Sequence, residues 1–368
     1  MNIGFDAKRL FLNHSGLGNY SRNLVWLLGK HAPGNHYLLY TPTYVNTEFG
    51  QFSRPPFERV LPQGAFNKAF AGRWRSHGII KQILADNLAV YHGLSNELPY
   101  NIGLFKGKKI VTIHDLIFMR FPSYYSAFDR NNYRKKVIAA CMNADVVISI
   151  STQTKNDLVE FFKVDEKKIE VHGQSCSEIF WSHKELAEKA IFDKQHLPSD
   201  YILYVGTVEP RKNLLNLIKA VEHVDLPLVV VGRLKSAYGK KIMEYIASKK
   251  MGSKIVFAQN VTDSQLAALY NKATCLVYPS SFEGFGLPVL EAMVCACPVI
   301  TGNNSSLTEV GGNAAVYIDV NNVQEYTNAV NNVINSSDLR KSMILKGLEQ
   351  SKAFTPEVWV NKTVKSYV

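Results

Sequence analysis

Residues 278–300, YPSSFEGFGLPVLEAMVCACPVI, contain the pattern that decides the fold. A strand candidate at Cys275–Tyr278 leads into a glycine-rich turn, and a helical pattern at Leu287–Val294 is followed by a second strand candidate at Pro298–Thr301. Strand, helix and strand in this order form a βαβ unit, and successive units of this kind build a parallel sheet. The stretch therefore predicts an α/β protein.

The same alternation of strand and helix patterns continues on both sides of this stretch. The other strand candidates are Asn2–Asp6, Tyr37–Thr41, Ala89–His92, Lys109–Ile113, Val146–Ile150, Ile169–His172, Tyr201–Val205, Leu228–Val231, Lys254–Phe257 and Ala315–Tyr317. A length of 368 residues corresponds to about two domains. We therefore predict two Rossmann-like, doubly wound domains that face each other across a central cleft and bind ligands at the carboxyl ends of their strands.

The periodic pattern is lost from Gly173 to Asp200, which predicts a connection between domains. We place a first domain at residues 1–178, a second at 198–352, and a C-terminal helix at 353–368. Because the second half already has a full set of elements, this helix is predicted to pack back on the first domain. Residues 46–70, rich in Pro, Gly, Phe and Asn, are predicted to be a long mobile loop.

The net charge of +11 indicates an anionic partner: nucleic acid, a phosphorylated small molecule or an acidic membrane surface. Residues 1–180 contain 22 Lys and Arg against 14 Asp and Glu, and residues 181–368 contain 20 against 17, so the excess lies in the first half. Its most basic run, RNNYRKK at 130–136, fits either a helix face that docks on lipid or substrate or a solvated face. No recognition motif supports nucleic acid, so we expect no nucleic-acid partner.

The five cysteines form no C-x-x-C pair and are odd in number, so neither a disulfide framework nor a zinc site is indicated. We predict that they are buried as small hydrophobes. The N-terminal sequence MNIGFDAKRL has no basic region followed by an apolar stretch, and no run reaches the ~18 apolar residues of a membrane span. The expected location is cytoplasmic, either free or peripheral on the inner face of the membrane.

The glycine-rich turn GFGLP carries the strongest functional signal. Gly284 and Gly286 permit backbone angles at which successive N–H groups point at a sugar or phosphate. Glu283 precedes the turn, and Glu291 lies eight residues later within an otherwise apolar helical segment. A carboxylate there needs a partner or a ligand hydroxyl to offset its desolvation. Two acids that bracket a glycine turn therefore predict a binding site.

A second signal is VGTVEPRKN at residues 205–213, where Arg211 and Lys212 fall between a strand and its helix. Cations at a helix N-terminus oppose the helix dipole and cost stability unless an anion offsets them. A diphosphate fits, because Arg gives forked hydrogen bonds and Lys a compact charge. The alternative is a solvated basic turn.

The first half carries two weaker motifs. In HSGLGNY, Gly16 and Gly18 would let backbone N–H groups approach an anion, although the spacing fits an ordinary βα turn equally well. In VTIHDL, His114 and Asp115 stand at the end of a buried strand, where the His can act on a substrate oxygen or simply cap the strand. In the second half, Ser305 offers either an anion contact or a helix cap.

Together these motifs resemble the family 4 retaining glycosyltransferases of GT-B fold, over essentially the whole chain. EGFGLP with Glu291, EPRKN at 209–213 and GLGNY at 16–20 carry the resemblance, and the pairing of EPRKN with TIHDL is similar to the branch of bacterial mannosyltransferases that act on surface polysaccharides. Two departures stand out. Gly206–Thr207 replaces the usual Gly-Arg, and HGQSCSE at 172–178 replaces the usual segment before the second domain.

The resemblance implies roles for individual residues. Arg211 and Lys212 would hold the donor diphosphate, Glu291 the nucleotide ribose, and Glu283 the donor sugar, while His114 lies beside the reacting sugar. The full implied donor set is Gly16, Gly18, Thr207, Arg211, Lys212, Glu283, Gly284, Phe285, Gly286, Leu287 and Glu291. The implied catalytic set is His114, Glu283, Lys212 and Arg211, and the implied acceptor contacts are His114 and Asp115.

The implied reaction moves a hexose from a nucleotide diphosphate sugar to a saccharide or lipid-linked saccharide, with retention of configuration, in surface glycan synthesis. The branch favours mannose and GDP-mannose, with UDP- and other GDP-sugars open. No cofactor and no metal are expected, since the chain lacks a D-x-D pair and positive side chains replace the ion. The alternatives are a nucleic-acid-binding or other non-enzymatic basic protein, and a GT-B nucleotide-sugar epimerase.

Overall fold

The computed structural model describes residues 1–43, 49–182 and 197–368. The chain divides into two compact units. Unit 1 comprises Met1–Gln174 with Pro356–Val368, and unit 2 comprises Ser175–Thr355. Of the connection predicted at Gly173–Asp200, residues 183–196 lie outside the described residues.

Unit 1 is built on a parallel sheet with seven strands among the described residues. The strands are β1 (Asn2–Asp6), β2 (His36–Tyr40), β3 (Phe57–Val60), β4 (Val90–Gly93), β5 (Lys108–Ile113), β6 (Val146–Ser149) and β7 (Ile169–Val171). Their order, β3-β2-β1-β4-β5-β6-β7, reverses direction between β1 and β4. Ligands bind doubly wound sheets at such a switch point.

Unit 2 repeats this plan with six described strands. The strands are β8 (Ile202–Val205), β9 (Leu228–Val231), β10 (Ile255–Ala258), β11 (Cys275–Tyr278), β12 (Val299–Gly302) and β13 (Val316–Ile318). The order β10-β9-β8-β11-β12-β13 reverses between β8 and β11. The predicted α/β class with two Rossmann-like sheets is thus confirmed, and each predicted strand is observed within one residue at either end.

Helices cover the sheet of each unit. In unit 1 they are Lys8–Leu12, Gly16–His31, Ala65–Ala69, Ala71–Arg73, Ile80–Ala85, Ile117–Arg120, Ala127–Asn143, Thr152–Phe162 and Pro356–Tyr367. In unit 2 they are Glu178–Trp181, Leu214–Val221, Ala237–Ser248, Asp263–Lys272, Leu287–Val294, Leu307–Gly311, Val323–Asn335 and Ser337–Ser351. The central strands β4, β8, β11 and β12 are wholly buried, as expected for parallel strands covered on both faces.

Strand β3 overturns part of the loop predicted at residues 46–70. The pattern FERV is short and polar, with only Phe57 buried, because β3 is the edge strand and pairs with β2 alone. A short 3₁₀ turn at Gly50–Ser53 precedes it, and the helix Ala65–Ala69 follows. Residues 46–48 of that predicted loop lie outside the described residues.

The C-terminal helix Pro356–Tyr367 belongs to unit 1. Trp359 is buried there against Tyr20, and the Tyr367 hydroxyl lies 2.9 Å from Nδ1 of His92 on β4. The C-terminal helix therefore makes an apolar contact with the helix Gly16–His31 and a polar contact with the sheet of unit 1.

Two further features concern the whole of the described chain. No described helix combines the length and the apolar character that a membrane span requires. All five cysteines are free and buried, as predicted from their number and spacing.

Candidate active site

The switch point of the unit 2 sheet brings two of the predicted motifs together. Arg211 and Lys212 lie in the loop that follows β8, and Glu283 lies in the loop that follows the adjacent strand β11. These two loops are about 70 residues apart in sequence. They lie side by side because β8 and β11 are parallel neighbours in the sheet and the loops follow the carboxyl ends of these strands. The basic motif and the acidic motif therefore form one site.

Both cations converge on one carboxylate. Oε1 of Glu283 accepts a hydrogen bond from Nη1 of Arg211 at 3.0 Å and another from Nζ of Lys212. Lys212 also donates to the Tyr278 hydroxyl at 2.5 Å, and Arg211 donates to Oε1 of Glu209 at 2.6 Å. Sequence reasoning missed the roles of Tyr278 and Glu209, although both flank the motifs it identified.

Burial sets the protonation of this cluster. It would raise the pKa of Glu283, but Lys212 and Arg211 outweigh it and hold that pKa below the ordinary value. The pKa of Lys212 is lowered by burial, partly offset by Glu283, since only 7% of this residue is exposed. The site therefore pairs two cations with two carboxylates, Glu283 and Glu209, and the pairing at Glu283 lies in poorly solvated surroundings, where Coulomb interactions are strong.

Asn213 fixes the loop that carries the two cations. Its backbone is left-handed, with φ of 52°, a conformation that Asn tolerates better than most residues. Its side-chain amide donates to the carbonyl of Pro279 at 3.0 Å and to Oγ of Ser281 at 2.7 Å, while the Ser281 N–H donates to the Arg211 carbonyl at 2.8 Å. These bonds connect the β8 loop directly to the β11 loop.

The glycine-rich turn is held from the neighbouring loop. Gly286 has φ of +107°, and a Cβ there would lie 2.8 Å from Leu307, so only glycine fits without strain. The Ser306 hydroxyl lies within hydrogen-bond distance of the carbonyls of Glu283 (2.9 Å) and Phe285 (2.8 Å). The Glu283 N–H donates to Oγ of Ser305 at 3.1 Å. Both serines thus hold the turn through their side chains.

The remaining predicted donor residues of unit 2 lie around this turn. Gly284 and Phe285 are buried, and Leu287 begins the helix Leu287–Val294. Thr207 is exposed just after β8, and its carbonyl accepts the Glu209 N–H at 3.1 Å. Thr207 thus lies at the carboxyl edge of the sheet, close in sequence to the two cations.

Glu291 has a different partner from Glu283. Its Oε2 accepts a hydrogen bond from the Tyr270 hydroxyl at 2.9 Å. Burial raises the pKa of Glu291 to about 7, because no cation compensates its charge among the described neighbours. The two acids of the motif therefore differ in charge state: Glu283 is held ionised, whereas Glu291 titrates near neutral pH.

This contrast predicts opposite effects of two conservative substitutions on stability at pH 8. The pKa of Glu291 is about 7 in the folded chain and 4.5, the ordinary value, in the unfolded chain. The folded state therefore binds more protons, and the wild type loses stability as pH rises between these two values. Glu291→Gln is expected to raise the free energy of unfolding at pH 8 by about 1–3 kcal/mol, and Glu283→Gln to lower it.

Urea unfolding at pH 4.5 and pH 8 measures both effects. The gain from Glu291→Gln should vanish at pH 4.5, where the wild-type side chain is already neutral. A gain of equal size at both pH values would contradict the raised pKa.

Unit 1 places His114 directly after β5. Its Nε2 lies 2.8 Å from the carbonyl of Leu94, which can only accept, so Nε2 carries the proton and Nδ1 is left as an acceptor. Its backbone N–H donates to Oδ1 of Asn96, and the ring of Tyr20 packs edge-on at 4.5 Å. Burial lowers the pKa of His114 to about 4, so the imidazole is neutral at pH 7.

Asp115 and the two glycines have local roles in unit 1. Oδ1 of Asp115 accepts the Ile117 N–H at 3.0 Å and so opens the next helix. A Cβ on Gly18 would lie 1.8 Å from the Asn13 carbonyl, and the Gly18 N–H already donates to Oδ1 of Asn13 at 3.1 Å. These contacts give Gly18 a packing role, and an anion contact through its N–H stays a prediction. Gly16 has open space beside its Cα.

An ionic network that sequence reasoning missed lies at the switch point of unit 1. Arg75 donates from Nε to both carboxylate oxygens of Asp6 at 3.0 Å and from Nη1 to Glu97 at 2.7 Å, while Lys136 donates to Glu97 at 3.2 Å. Asp6 ends β1, and Glu97 follows β4. The available signal was an acid directly after an apolar strand. Within the described residues, no group of three or more His, Cys, Asp or Glu side chains is arranged to hold a metal ion.

Comparisons with known proteins find glycosyltransferases similar to this chain. Residues 188–350 match the family Glycosyl transferases group 1. The chain is 28% identical over 286 residues to an O-antigen chain mannosyltransferase B of Escherichia coli, covering 76% of this chain and 74% of that protein. It is 25% identical over 312 residues to a serotype-specific mannosyltransferase WbdA of Escherichia coli, covering 78% of this chain but only 38% of that longer protein.

Solved structures share the architecture. A sucrose-phosphate synthase from Thermosynechococcus elongatus superposes with a TM-score of 0.80 at 20% identity, covering 100% of this chain and 98% of that one. The likeness shows the fold, and it confirms the GT-B architecture predicted from the sequence.

Proposed function

We propose that this chain transfers a hexose from a nucleotide diphosphate sugar to a saccharide acceptor in surface glycan synthesis. The match of residues 188–350 to the group 1 glycosyl transferases supports this activity. Mannose from GDP-mannose is the favoured donor, because the mannosyltransferases described above cover most of this chain. The acceptor is a saccharide that is free or lipid-linked, and the enzyme works near an anionic membrane surface. The convergence of Arg211 and Lys212 on Glu283 carries the proposal.

The leaving diphosphate is stabilised by the two cations at the end of β8. Lys212 and Arg211 are held in place before the donor arrives, so little reorganisation is needed when charge develops on the diphosphate. Glu283 contacts both cations, and we assign its carboxylate to a hydroxyl of the donor sugar beside the diphosphate. We assign Glu291 to the nucleotide ribose.

The charge state of Glu283 supports transfer with retention and without a protein nucleophile. A carboxylate that accepts hydrogen bonds from two cations has its charge neutralised and is a poor nucleophile. The departing phosphate can instead accept the acceptor proton on the face that it leaves, which preserves the configuration. Because two cations are already present, the reaction needs no metal ion.

His114 contributes a hydrogen-bond acceptor to the sugar. With Nε2–H committed to Leu94 and the ring neutral at pH 7, only Nδ1 is available to a ligand. A neutral acceptor suits a sugar hydroxyl. Asp115, which follows in sequence, lies at the same strand end on the acceptor side.

A donor panel tests the proposal. Incubation with GDP-mannose, UDP-glucose and GDP-glucose should stabilise the protein against heat and give slow donor hydrolysis, with GDP-mannose giving the largest shift. Proton NMR of the product formed on a mannosyl acceptor should show the anomeric configuration of the donor, and excess EDTA should leave the rate unchanged. Inversion, loss of activity in EDTA, or formation of an epimeric nucleotide sugar would each contradict a part of this proposal.

A further inference from the structure

Unit 1 carries an exposed aromatic segment that the donor chemistry does not use. Residues 64–73, GAFNKAFAGR, form two short helices in which no residue is buried. Phe66 and Phe70 are 58% and 55% exposed, and their rings lie 4.9 Å apart, so they present one continuous apolar surface. We call residues 64–73 the aromatic segment.

The stretch of sequence that contains this segment carries charge of one sign. Residues 59–85 contain five Lys and Arg and no Asp or Glu. Lys68 and Arg73 are exposed, form no ion pair within the described chain, and flank the two rings, with Arg73 over Phe66 at 5.7 Å. Exposed aromatic rings flanked by unpaired cations are the pattern that binds the surface of an anionic bilayer.

The aromatic segment stands on a fixed base. Directly after it, Trp74 is buried and donates from Nε1 to Gln82 at 2.7 Å. Arg75, the next residue, is tied to Asp6 and Glu97 at the carboxyl edge of the sheet. The segment is thus attached beside the edge at which we place the acceptor, although no residue of its two helices is buried.

The shape of the segment argues against a saccharide or a protein as its occupant. Positions 64 and 72 have open space where a Cβ would lie, and no residue of the two helices is buried, so the segment offers a sugar no enclosing walls. A stable protein interface buries about 800 Å² on each partner, far more than two phenylalanine side chains offer. Insertion of two rings into the headgroup region needs neither a groove nor a large flat area.

We propose that the aromatic segment docks this protein on a bilayer of anionic lipid, with Phe66 and Phe70 inserted and Lys68 and Arg73 on the lipid phosphates. This deepens the proposed function, since it rests on an acceptor presented at a membrane. The proposal places the docking surface at residues 64–73 and not at the basic run 130–136. Beside that run the exposed Phe128 is followed by an acid, Asp129, which anionic lipid would repel.

Vesicle sedimentation of the full chain tests the proposal. The wild type should sediment with phosphatidylethanolamine and phosphatidylglycerol vesicles at 0.1 M salt, and much less with phosphatidylcholine or at 1 M salt. Phe66→Ser/Phe70→Ser and Lys68→Ser/Arg73→Ser should each lower the partition coefficient by about tenfold or more. The matched controls Phe128→Ser and Arg134→Ser/Lys135→Ser should change it by less than about twofold.

The alternatives give different results. If Lys68→Ser/Arg73→Ser and Arg134→Ser/Lys135→Ser lowered the partition coefficient equally, the binding would be diffuse and electrostatic, and the proposal would be overturned. Wild-type protein that does not sediment with anionic vesicles would overturn it too. A shift of Phe66→Ser/Phe70→Ser to a smaller species in light scattering would assign the segment to self-association instead. Transfer to a soluble acceptor should be the same in all variants, so wild-type vesicle binding without any transfer would reject the proposed function and leave the docking intact.

Discussion

Lys212→Met is expected to lower kcat/KM for hexosyl transfer by about 10²–10³-fold, the cost of removing one charged group from the developing negative charge. The substitution keeps the length of the side chain in a position that is 93% buried but removes the ammonium that contacts Glu283 and Tyr278. Affinity for GDP should fall with it, because the diphosphate loses one of its two cations. Titration calorimetry with GDP and steady-state kinetics measure the two effects.

A double variant separates this role from a structural one. Lys212→Met alone leaves Glu283 with Arg211 as its only cation and should lower the free energy of unfolding by up to about 3 kcal/mol. Lys212→Met/Glu283→Gln removes both charges and should recover most of that stability while transfer stays low. Recovery of transfer together with stability would mean that the ion pair only supports the fold.

Lys109→Met supplies the matched control. Lys109 is also poorly exposed and pairs with Asp145 at 2.8 Å, but it lies at the opposite, amino end of β5. A small loss of stability with unchanged GDP affinity is expected. If Lys109→Met weakened GDP binding as much as Lys212→Met, the effect would not be specific to the site.

The secondary structure of this chain was largely predictable because its strands are continuous apolar runs. Strands such as β9 and β11 are buried on both faces, and such runs are distinctive in sequence. Strand β3 was missed because an edge strand needs only one buried side chain, here Phe57. The π-helical turn Trp74–Gly78 carries Arg75 to Asp6. This is a long-range contact that no local pattern encodes.

The site was predictable in composition but not in connectivity. Charge and glycine spacing identified Arg211, Lys212 and Glu283 separately, whereas their contact depends on β8 and β11 being neighbours although they are not consecutive strands. The same limit explains Glu291, whose pKa depends on burial beside Tyr270. For Gly18, the close contact with the Asn13 carbonyl was not predictable, because it depends on how the short helix Lys8–Leu12 ends at Asn13.

His114→Gln is expected to lower kcat/KM by about 10²–10³-fold, and His114→Asn by clearly less. The Gln amide nitrogen occupies the position of Nε2 and can still donate to Leu94, but no acceptor remains at the position of Nδ1. The Asn oxygen occupies the position of Nδ1 and keeps the acceptor while the Leu94 bond is lost. If Nδ1 acts on the sugar, the stabler of the two variants should therefore be the less active one.

The pH dependence of transfer gives an independent check on His114. Because burial lowers its pKa to about 4, activity should not titrate with His114 between pH 5.5 and 8. A transition near pH 7 is expected from Glu291 instead, with activity falling as the carboxylate that binds the ribose is protonated, and it should disappear in Glu291→Gln. A transition near pH 6.5 that survives Glu291→Gln and disappears in His114→Asn would show that the imidazolium takes part, and the role of His114 would then be proton donation rather than acceptance.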